Sequence, residues 1–407
     1  MPQLIGRERQ LRELREAYAA SSDSRAARSL IVSGDEGSGK TTLTLALERA
    51  VSPEALVIRA EAYPLDRLLP FSLVHRLDRD LNATVERALR ERPVVVIADD
   101  AANADEESLR QLAQLRESMA DRPLLIVFTQ TETGGDLALQ ALGPLDARAL
   151  AAECYPDAPA AVLDAIVANA GGNPYEILVL AGVAARRNAR GAEAVDSSSR
   201  SAVARELAAL APEHRTALQI ASLLSEPSDA LPPAPPLPGV PAHSLTALAI
   251  SETIAMKIPL RRRIVAAMER HGVHGIREQM AFAEQVLASG DAEHARATLL
   301  HLAFAAAHEK LTRATVWAAE RHLALGEPPD ERFIDFYDAF FDELMENKAY
   351  ADAEAVAAHA LSEAQHRGVP GIGALAGRLI SAQESAGRHD VARASRARYA
   401  QWLETNA

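Results

Sequence analysis

Four short apolar runs mark the first 130 residues of the chain. Each is rich in branched side chains and is continuous, with no alternation of apolar and polar positions. Continuous runs of this length predict strands that are buried on both faces, as in a parallel sheet covered by helices. The runs lie at 29–33, 55–60, 93–98 and 123–128.

Helical patterns separate these runs. Residues 8–20 carry Leu11, Leu14 and Tyr18 at helical spacing, and similar stretches stand between the later runs. An alternation of strands and helices predicts an α/β layered domain. We therefore expect residues 1–145 to form a parallel sheet with helices on both faces.

The strand pattern stops after about residue 145. Residues 146–192 read as helices, with a turn at 172–174. Within 193–244, seven prolines stand between Pro227 and Pro241, a density that fits neither a helix nor a central strand. This stretch is expected to be an extended or disordered connector. Residues 245–407 read as helices throughout.

A weak repeat runs through the helical end of the chain. Gly290, Lys348 and Gly387 each stand five residues before an alanine, in the order Ala295, Ala353 and Ala392. A turn followed by a helix with small residues at close-packing positions is typical of tetratricopeptide-type helix pairs. An irregular helical bundle remains the alternative.

Composition and charge limit the range of possible functions. The 407 residues carry a formal net charge of −13, which disfavours a surface that grips nucleic acid as a whole. A single cysteine, Cys154, excludes an intrachain disulfide. No apolar run approaches the length of a membrane span, and the first residues lack a signal-peptide pattern, so a cytoplasmic location is expected. Only four of the 43 basic residues are lysines, and so a position that keeps lysine is expected to need it.

One of those lysines, Lys40, lies in a segment that fits G-x-x-x-x-G-K-[ST]. The segment follows a predicted strand and precedes a helical run, which is the context of a phosphate-binding loop. Glycines let backbone N–H groups turn toward phosphates, and the helix N-terminus adds positive potential. Lys40 would then bridge the β- and γ-phosphates of a nucleotide, and the Thr41 hydroxyl would ligate Mg²⁺. The predicted loop consists of Gly34, Asp35, Glu36, Gly37, Ser38, Gly39, Lys40, Thr41 and Thr42.

Two carboxylates follow the third predicted strand. Asp99 and Asp100 stand at its C-terminal end, where α/β sheets bind their ligands. Asp99 would hold Mg²⁺ through water, and Asp100 would orient or deprotonate the attacking water. A cap on the next helix is the alternative role for Asp100, whereas Asp105 is expected to be such a cap.

In their order along the chain, these pieces resemble the STAND-type signalling ATPases, in particular the ATP-binding half of large LuxR-type bacterial regulators. The resemblance is good over 1–185 and loose over 200–407. It implies that Gly6 and Arg7, in the sequence LIGRE, lie near the base and ribose of ATP. It also implies that Gly172-Asn173-Pro174 is the turn of a helical lid, with Pro174 near adenine. Residues 146–192 would be that lid, 193–244 a reduced winged-helix segment with its linker, and 245–407 a tetratricopeptide-like sensor.

Several positions depart from the family's pattern. The family places tryptophan where this chain has Asn103, and an arginine that senses the γ-phosphate where it has Thr131. Without that arginine, slow hydrolysis is expected. A C-terminal helix-turn-helix of the LuxR kind is not recognisable. The arginines near the end are interpreted as a solvated basic helix face, so DNA binding is not supported; they are Arg388, Arg393, Arg396 and Arg398.

The favoured hypothesis is an ATP- and Mg²⁺-binding switch with low turnover. It would act in signalling or transcriptional control through a protein partner or effector bound by the helical C-terminal half. One alternative is an interaction scaffold whose nucleotide site is degenerate or purely structural. Another is a DNA-associated initiator-type ATPase, which the acidic balance disfavours. The sequence leaves self-association open.

Overall fold

The computed structural model describes residues 4–131, 134–325, 337, 341–342, 344–346, 348, 350–367 and 371–403. The chain divides into two compact units, Met1–Ala267 and Met268–Ala407.

The first unit is built on one five-stranded sheet with the order β2-β3-β4-β1-β5, in which all neighbouring strands are parallel. The four strands predicted from the apolar runs are confirmed. The fifth strand was not predicted, because three residues are too short a run to give a pattern. The strands are β1 (Arg28–Gly34), β2 (Leu56–Glu61), β3 (Val94–Asp99), β4 (Leu124–Gln130) and β5 (Leu137–Leu139).

Helices cover both faces of this sheet. One face packs against α1 and α2 around Leu14, Leu43 and Leu47, and the other packs against α3, α4 and α5. All six residues of β3 are buried, which explains its continuous apolar sequence. The predicted fold class, an α/β core followed by an all-α remainder, is confirmed. The helices are α1 (Glu8–Ser24), α2 (Lys40–Val51), α3 (Ser72–Leu77), α4 (Leu81–Ala88) and α5 (Glu106–Ser118).

Asp105 has the capping role expected for it. Its carboxylate accepts the backbone N–H of Ser108 in the first turn of α5, at 2.7 Å. The same fully buried carboxylate also accepts the backbone N–H groups of Phe71 and Leu73. One side chain therefore fixes the start of α5 and the start of α3 together.

A helical segment follows the sheet and has a core of its own, centred on α8. In the part of the chain that the structure describes, no strand follows Leu139. The helices are α6 (Pro144–Cys154), α7 (Ala160–Ala170), α8 (Pro174–Arg186), α9 (Ser199–Ala208), α10 (Pro212–Ala221) and α11 (Ser244–Glu252), with α12 (Lys257–His271) at the division between the units.

The proline-rich connector is extended and packed rather than disordered. Leu237 is buried in the core around α8, with Val240 packed against that core. A Cβ built on Gly182 of α8 would lie 2.2 Å from the carbonyl oxygen of Gly239 in the connector. The two backbones therefore approach so closely that neither position has room for a side chain.

The second unit is helical in all of its described elements. Consecutive helices pack on each other, as in helix-pair repeats: α13 on α14, α14 on α15, α16 on α17 and α17 on α18. The helices are α13 (Gly275–Ala288), α14 (Ala292–His308), α15 (Thr312–Ala324), α16 (Tyr350–Arg367), α17 (Ile372–Ser385), α18 (His389–Arg398) and α19 (Ala400–Leu403).

The weak sequence repeat corresponds to a real backbone feature. Gly290, Lys348 and Gly387 all have positive φ, at 77°, 59° and 76°. The alanine five residues after each of them is buried. Lys310, with φ 60°, and buried Thr315 add another instance. Each turn thus uses a left-handed residue to start a helix whose second turn packs closely.

Among the described residues, no helix combines the length and the apolar character that crossing a membrane requires.

The contact between Gly182 and Gly239 gives a stability prediction. Gly182→Ala should lower the free energy of unfolding by about 1–3 kcal/mol, because the new methyl group meets backbone that cannot move aside. Gly377→Ala is the control, since Gly377 is also inside a helix but has open space around its Cβ position. It should be neutral or stabilise by about 0.5–1 kcal/mol. Urea unfolding monitored by circular dichroism measures both, and equal effects would contradict the close packing.

Candidate functional site

The predicted phosphate loop lies between β1 and α2, with Lys40 as the first residue of the helix. Lys40 is 7 % exposed, and its Nζ donates to the carbonyl oxygens of Gly34 at 2.9 Å and Asp35 at 3.1 Å. Burial lowers the pKa of this ammonium group, while the carboxylates of Asp100 and Asp99 oppose that effect. A buried cation at the start of a helix is suited to hold a polyanion.

The loop backbone has the conformation that this role needs. Gly37 and Gly39 have φ of 78° and 96°, which turns the chain tightly into the helix N-terminus. Ser38 is buried, and its hydroxyl has no hydrogen-bond partner among the described residues. An unpaired hydroxyl beside a helix N-terminus adds one more polar group that could contact a ligand.

Arg7 stabilises the loop by a hydrogen bond to its backbone. Its guanidinium donates to the carbonyl oxygens of Ser38 at 3.0 Å and Gln140 at 2.6 Å, and the side chain is buried. Burial lowers the pKa of Arg7, against the nearby Asp146. Arg7 therefore ties the loop to the chain after β5, and its expected place near the ribose stays a prediction. Gly6 packs against Leu142 and Asp146.

Asp99 and Asp100 end β3 as predicted, and one hydroxyl fixes both. Thr129 on β4 donates to the Asp99 carboxylate and accepts the backbone N–H of Asp100 at 2.9 Å. Asp100 has a left-handed backbone with φ 51° and is not a side-chain cap for the residues that follow. Burial raises the pKa of the Asp100 carboxyl, Asp99 raises it further, and Lys40 opposes both effects.

Two residues of the candidate site, both on β2, were missed. Arg59 forms an ion pair with Asp99, and Glu61 pairs in register with Asp99 at the end of the neighbouring strand. Burial raises the pKa of Glu61, and the carboxylates of Asp100 and Asp99 raise it further. The sequence did hold a signal for Glu61, because the carboxyl ends of parallel strands meet at one edge of the sheet.

The Gly172–Pro174 turn lies directly on the phosphate loop. Asn173 caps α8 by accepting the N–H of Tyr175, and its amide donates to the carbonyl oxygen of Glu36 at 2.9 Å. The N–H of Tyr175 also lies 3.2 Å from the carbonyl oxygen of Gly37. A Cβ on Gly37 would be 2.7 Å from the Tyr175 Cβ, so this position has no room for a side chain.

The start of α11 reaches the same place. Ser244 donates to the Glu36 carboxylate at 2.6 Å, and the Tyr175 and Thr246 hydroxyls lie 2.8 Å apart. The ring of His243 packs on the Tyr175 ring at 4.8 Å. Nothing in the sequence pointed to His243, Ser244 and Thr246, since they lie beyond the proline-rich connector. Ser244 is 208 residues from Glu36 along the chain.

The structure thus brings together Lys40, Asp99 and Asp100, whose charges act on each other. Thr41 and Thr42 lie exposed in the first turn of α2. Pro174 is the first residue of α8, and its contact with adenine stays a prediction. Among the described residues, no group of three or more histidine, cysteine or carboxylate side chains could hold a metal ion. A Mg²⁺ ion here would need phosphate oxygens as ligands, as is usual for nucleotide sites.

His243 gives a pH prediction. Its Nδ1 accepts the N–H of Leu245 at 3.1 Å, which requires the neutral ring. Burial lowers the pKa of His243, Lys40 lowers it further and Glu36 opposes both, while the Tyr175 phenol faces the ring. A base with a lowered folded-state pKa stabilises the protein fully above its unfolded pKa. That stability is lost as the pH falls from about 6.5 toward the folded-state value.

The contribution of His243 to the stability of the wild type should therefore decline as the pH falls below about 6.5. His243→Asn keeps a capping oxygen that does not titrate, and so it should show a smaller decline. Thermal unfolding at several pH values compares the two proteins, and parallel pH profiles would contradict the role of His243.

A family model described as an AAA ATPase domain matches residues 3–84, which include the phosphate loop and β2. None of the curated proteins matches this chain.

Several solved structures are similar. A STAND protein with a tetratricopeptide repeat sensor from Pyrococcus horikoshii is 14 % identical, with 99 % of this chain and 71 % of that chain covered and a TM-score of 0.49. Cdc6p from Pyrobaculum aerophilum is 15 % identical over 66 % of this chain and 87 % of that chain, with a TM-score of 0.39. The Aeropyrum pernix ORC1 protein in complex with DNA is 16 % identical over 67 % and 85 %, with a TM-score of 0.36.

Identities at this level say nothing about activity. The match of residues 3–84 implies nucleotide binding, and the strand–loop–helix around Lys40 is the corresponding structural element. This part of the chain is therefore similar to an AAA ATPase domain of the P-loop class.

Proposed function

We propose that the protein is an ATP-binding switch of the STAND type that hydrolyses ATP slowly and acts in signalling or transcriptional control. The observation that carries this proposal is the contact of α8 with the phosphate loop. Asn173 and Tyr175 bond to the carbonyl oxygens of Glu36 and Gly37. A loop that holds phosphates and also supports a helical lid can couple the nucleotide state to the position of that lid.

The residues present suit ATP. Lys40 would contact the β- and γ-phosphates, with backbone N–H groups of residues 37–42 around them. In the present structure its ammonium bonds to two loop carbonyl groups, so phosphate oxygens would replace neutral acceptors with charged ones. Stronger acceptors at the same ammonium favour binding of the anion.

The residues also suit Mg²⁺ by the chemistry of their oxygens. Thr41 offers a hydroxyl in the first turn of α2, and Asp99 offers a carboxylate at the end of β3. When bound, Mg²⁺ would neutralise charge on the β- and γ-phosphates. The interaction of the Asp99 charge with Lys40 supports the placement of both residues at one site.

Asp100 is suited to orient or deprotonate water. The causes that raise its pKa are burial and the charge of Asp99. A carboxylate with a raised pKa is a stronger base at neutral pH. Thr131 stands where the related family has a γ-phosphate-sensing arginine, which supports low turnover.

The second unit would bind a protein partner or effector. Its helix pairs with buried small residues form the kind of repeat that presents extended binding surfaces. One alternative is a scaffold with a structural nucleotide site, which the following experiments separate from the switch. The other is a DNA-associated initiator-type ATPase.

Lys40→Ala should weaken ATP binding by about 10–100-fold, because two charge-assisted hydrogen bonds are lost. Calorimetry with ATP and ADP in the presence of Mg²⁺ measures the loss. Lys257→Ala is the matched control, since Lys257 is exposed at the start of α12, and it should bind like the wild type. If Lys40→Ala bound as tightly as the wild type, or the wild type did not bind at all, the switch would be rejected in favour of a scaffold.

Asp100→Asn should reduce phosphate release by about 10²–10⁴-fold and leave the affinity for ATP within a few-fold of the wild type. The amide fills the same volume but accepts no proton. Single-turnover hydrolysis measures the rate, with exposed Asp121→Asn as the control for loss of an aspartate charge. Unchanged turnover would remove Asp100 from the reaction and return it to a structural role.

A further inference from the structure

Arg59 connects the two sides of the candidate site. It lies on β2, beside Ile97 of β3, and its side chain is 20 % exposed. One end of the guanidinium forms an ion pair with Asp99. The other donates to the Thr44 hydroxyl on α2 at 3.0 Å and lies 3.7 Å from the Glu48 carboxylate. A planar fork with several donors is needed to reach these three partners at once.

Asp99 is almost completely enclosed by these contacts. Its side chain is 5 % exposed, one carboxylate oxygen faces Arg59 and the other accepts the Thr129 hydroxyl. A carboxylate buried to this extent needs a positive partner, since desolvation of an unpaired charge costs several kcal/mol or more. Arg59 supplies that partner from within the chain.

Thr44 extends the connection to the other candidate metal ligand. Its hydroxyl is fully buried, accepts from Arg59 and donates to the carbonyl oxygen of Thr41 at 3.1 Å. Arg59 is therefore linked to Asp99 directly and to the Thr41 turn through one hydroxyl. The same guanidinium thus bonds to the Asp99 carboxylate and, through the Thr44 hydroxyl, is linked to the backbone carbonyl of Thr41.

We propose that Arg59 is a positioning residue that holds the Asp99 carboxylate against α2 and makes nucleotide binding depend only weakly on Mg²⁺. This inference rests on the proposed function, since it concerns the same nucleotide site. The guanidinium and a divalent ion would share the Asp99 carboxylate. Each cation therefore weakens the attraction between this carboxylate and the other cation. The fixed charge of Arg59 also adds attraction for phosphates when no divalent ion is present.

Removal of the guanidinium should strengthen the effect of Mg²⁺ on nucleotide binding and weaken nucleotide binding in the absence of Mg²⁺. In Arg59→Gln the Asp99 charge is free to attract Mg²⁺, whereas binding without the ion loses a nearby positive charge. We expect Mg²⁺ to improve the affinity of the wild type less than about tenfold. The ratio of the dissociation constant without Mg²⁺ to that with Mg²⁺ should be at least about tenfold larger in Arg59→Gln than in the wild type. This is the effect of one unit of charge at short range.

The experiment titrates each full-length variant with a fluorescent N-methylanthraniloyl derivative of ADP. One series contains excess Mg²⁺ and the other contains EDTA, so that the readout is a ratio of two dissociation constants rather than activity. Arg49→Gln is the control, because Arg49 is an exposed arginine on the last turn of α2, the helix that Arg59 contacts through Thr44 and Glu48. Its ratio should equal that of the wild type.

Arg59→Lys keeps the charge but loses the fork, so its ratio should lie between those of the wild type and Arg59→Gln. If Arg59→Gln does not fold, the lysine variant decides the question. An unchanged ratio in a folded variant overturns the proposal, since a merely structural role would lower both affinities equally. This failure differs from failure of the proposed function, in which Lys40→Ala would bind nucleotide like the wild type.

Discussion

The rest of the candidate site depends on the contact between the phosphate loop and α8. Gly37 lies so close to Tyr175 that a side chain at this position would push the helix away. The amide of Asn173 caps α8 and bonds to the loop at the same time. The N-terminus of one helix is thereby fixed to the loop that precedes another. Because this contact leaves no free space, a movement of the loop backbone must be matched by the start of α8.

The balance of positive and negative charge is a second constraint on the candidate site. Lys40 is close enough to Asp99, Asp100, Glu36 and Asp35 for their charges to oppose the effect of burial on its pKa. With so many carboxylates nearby, a nucleotide alone would meet repulsion, and positive charge must come from Lys40, Arg59 or a divalent ion. Arg59, like Lys40, is a part of this balance that the chain itself supplies, whereas a divalent ion must be bound from solution.

Local patterns predicted local features. Four strands, the phosphate loop, the carboxylates after β3 and the Asp105 cap follow from apolar runs and from residue types at fixed spacing. Features that depend on distant chain segments could not be predicted. Arg59 in an apolar strand gave no sign that it faces Asp99, because only the pairing of β2 with β3 brings them together. Ser244 likewise reaches Glu36 only because the proline-rich connector packs along α8.

The starts of α8 and α11 must respond together to a change in the loop. Both bond to Glu36, one through its carbonyl oxygen and the other through its carboxylate. They also bond to each other through the hydroxyls of Tyr175 and Thr246, and residues of both belong to one buried core. A closely packed core moves between discrete arrangements rather than deforming continuously. A displacement of Glu36 would therefore be transmitted to α8 and α11 as a single body, which is the property that the proposed switch requires.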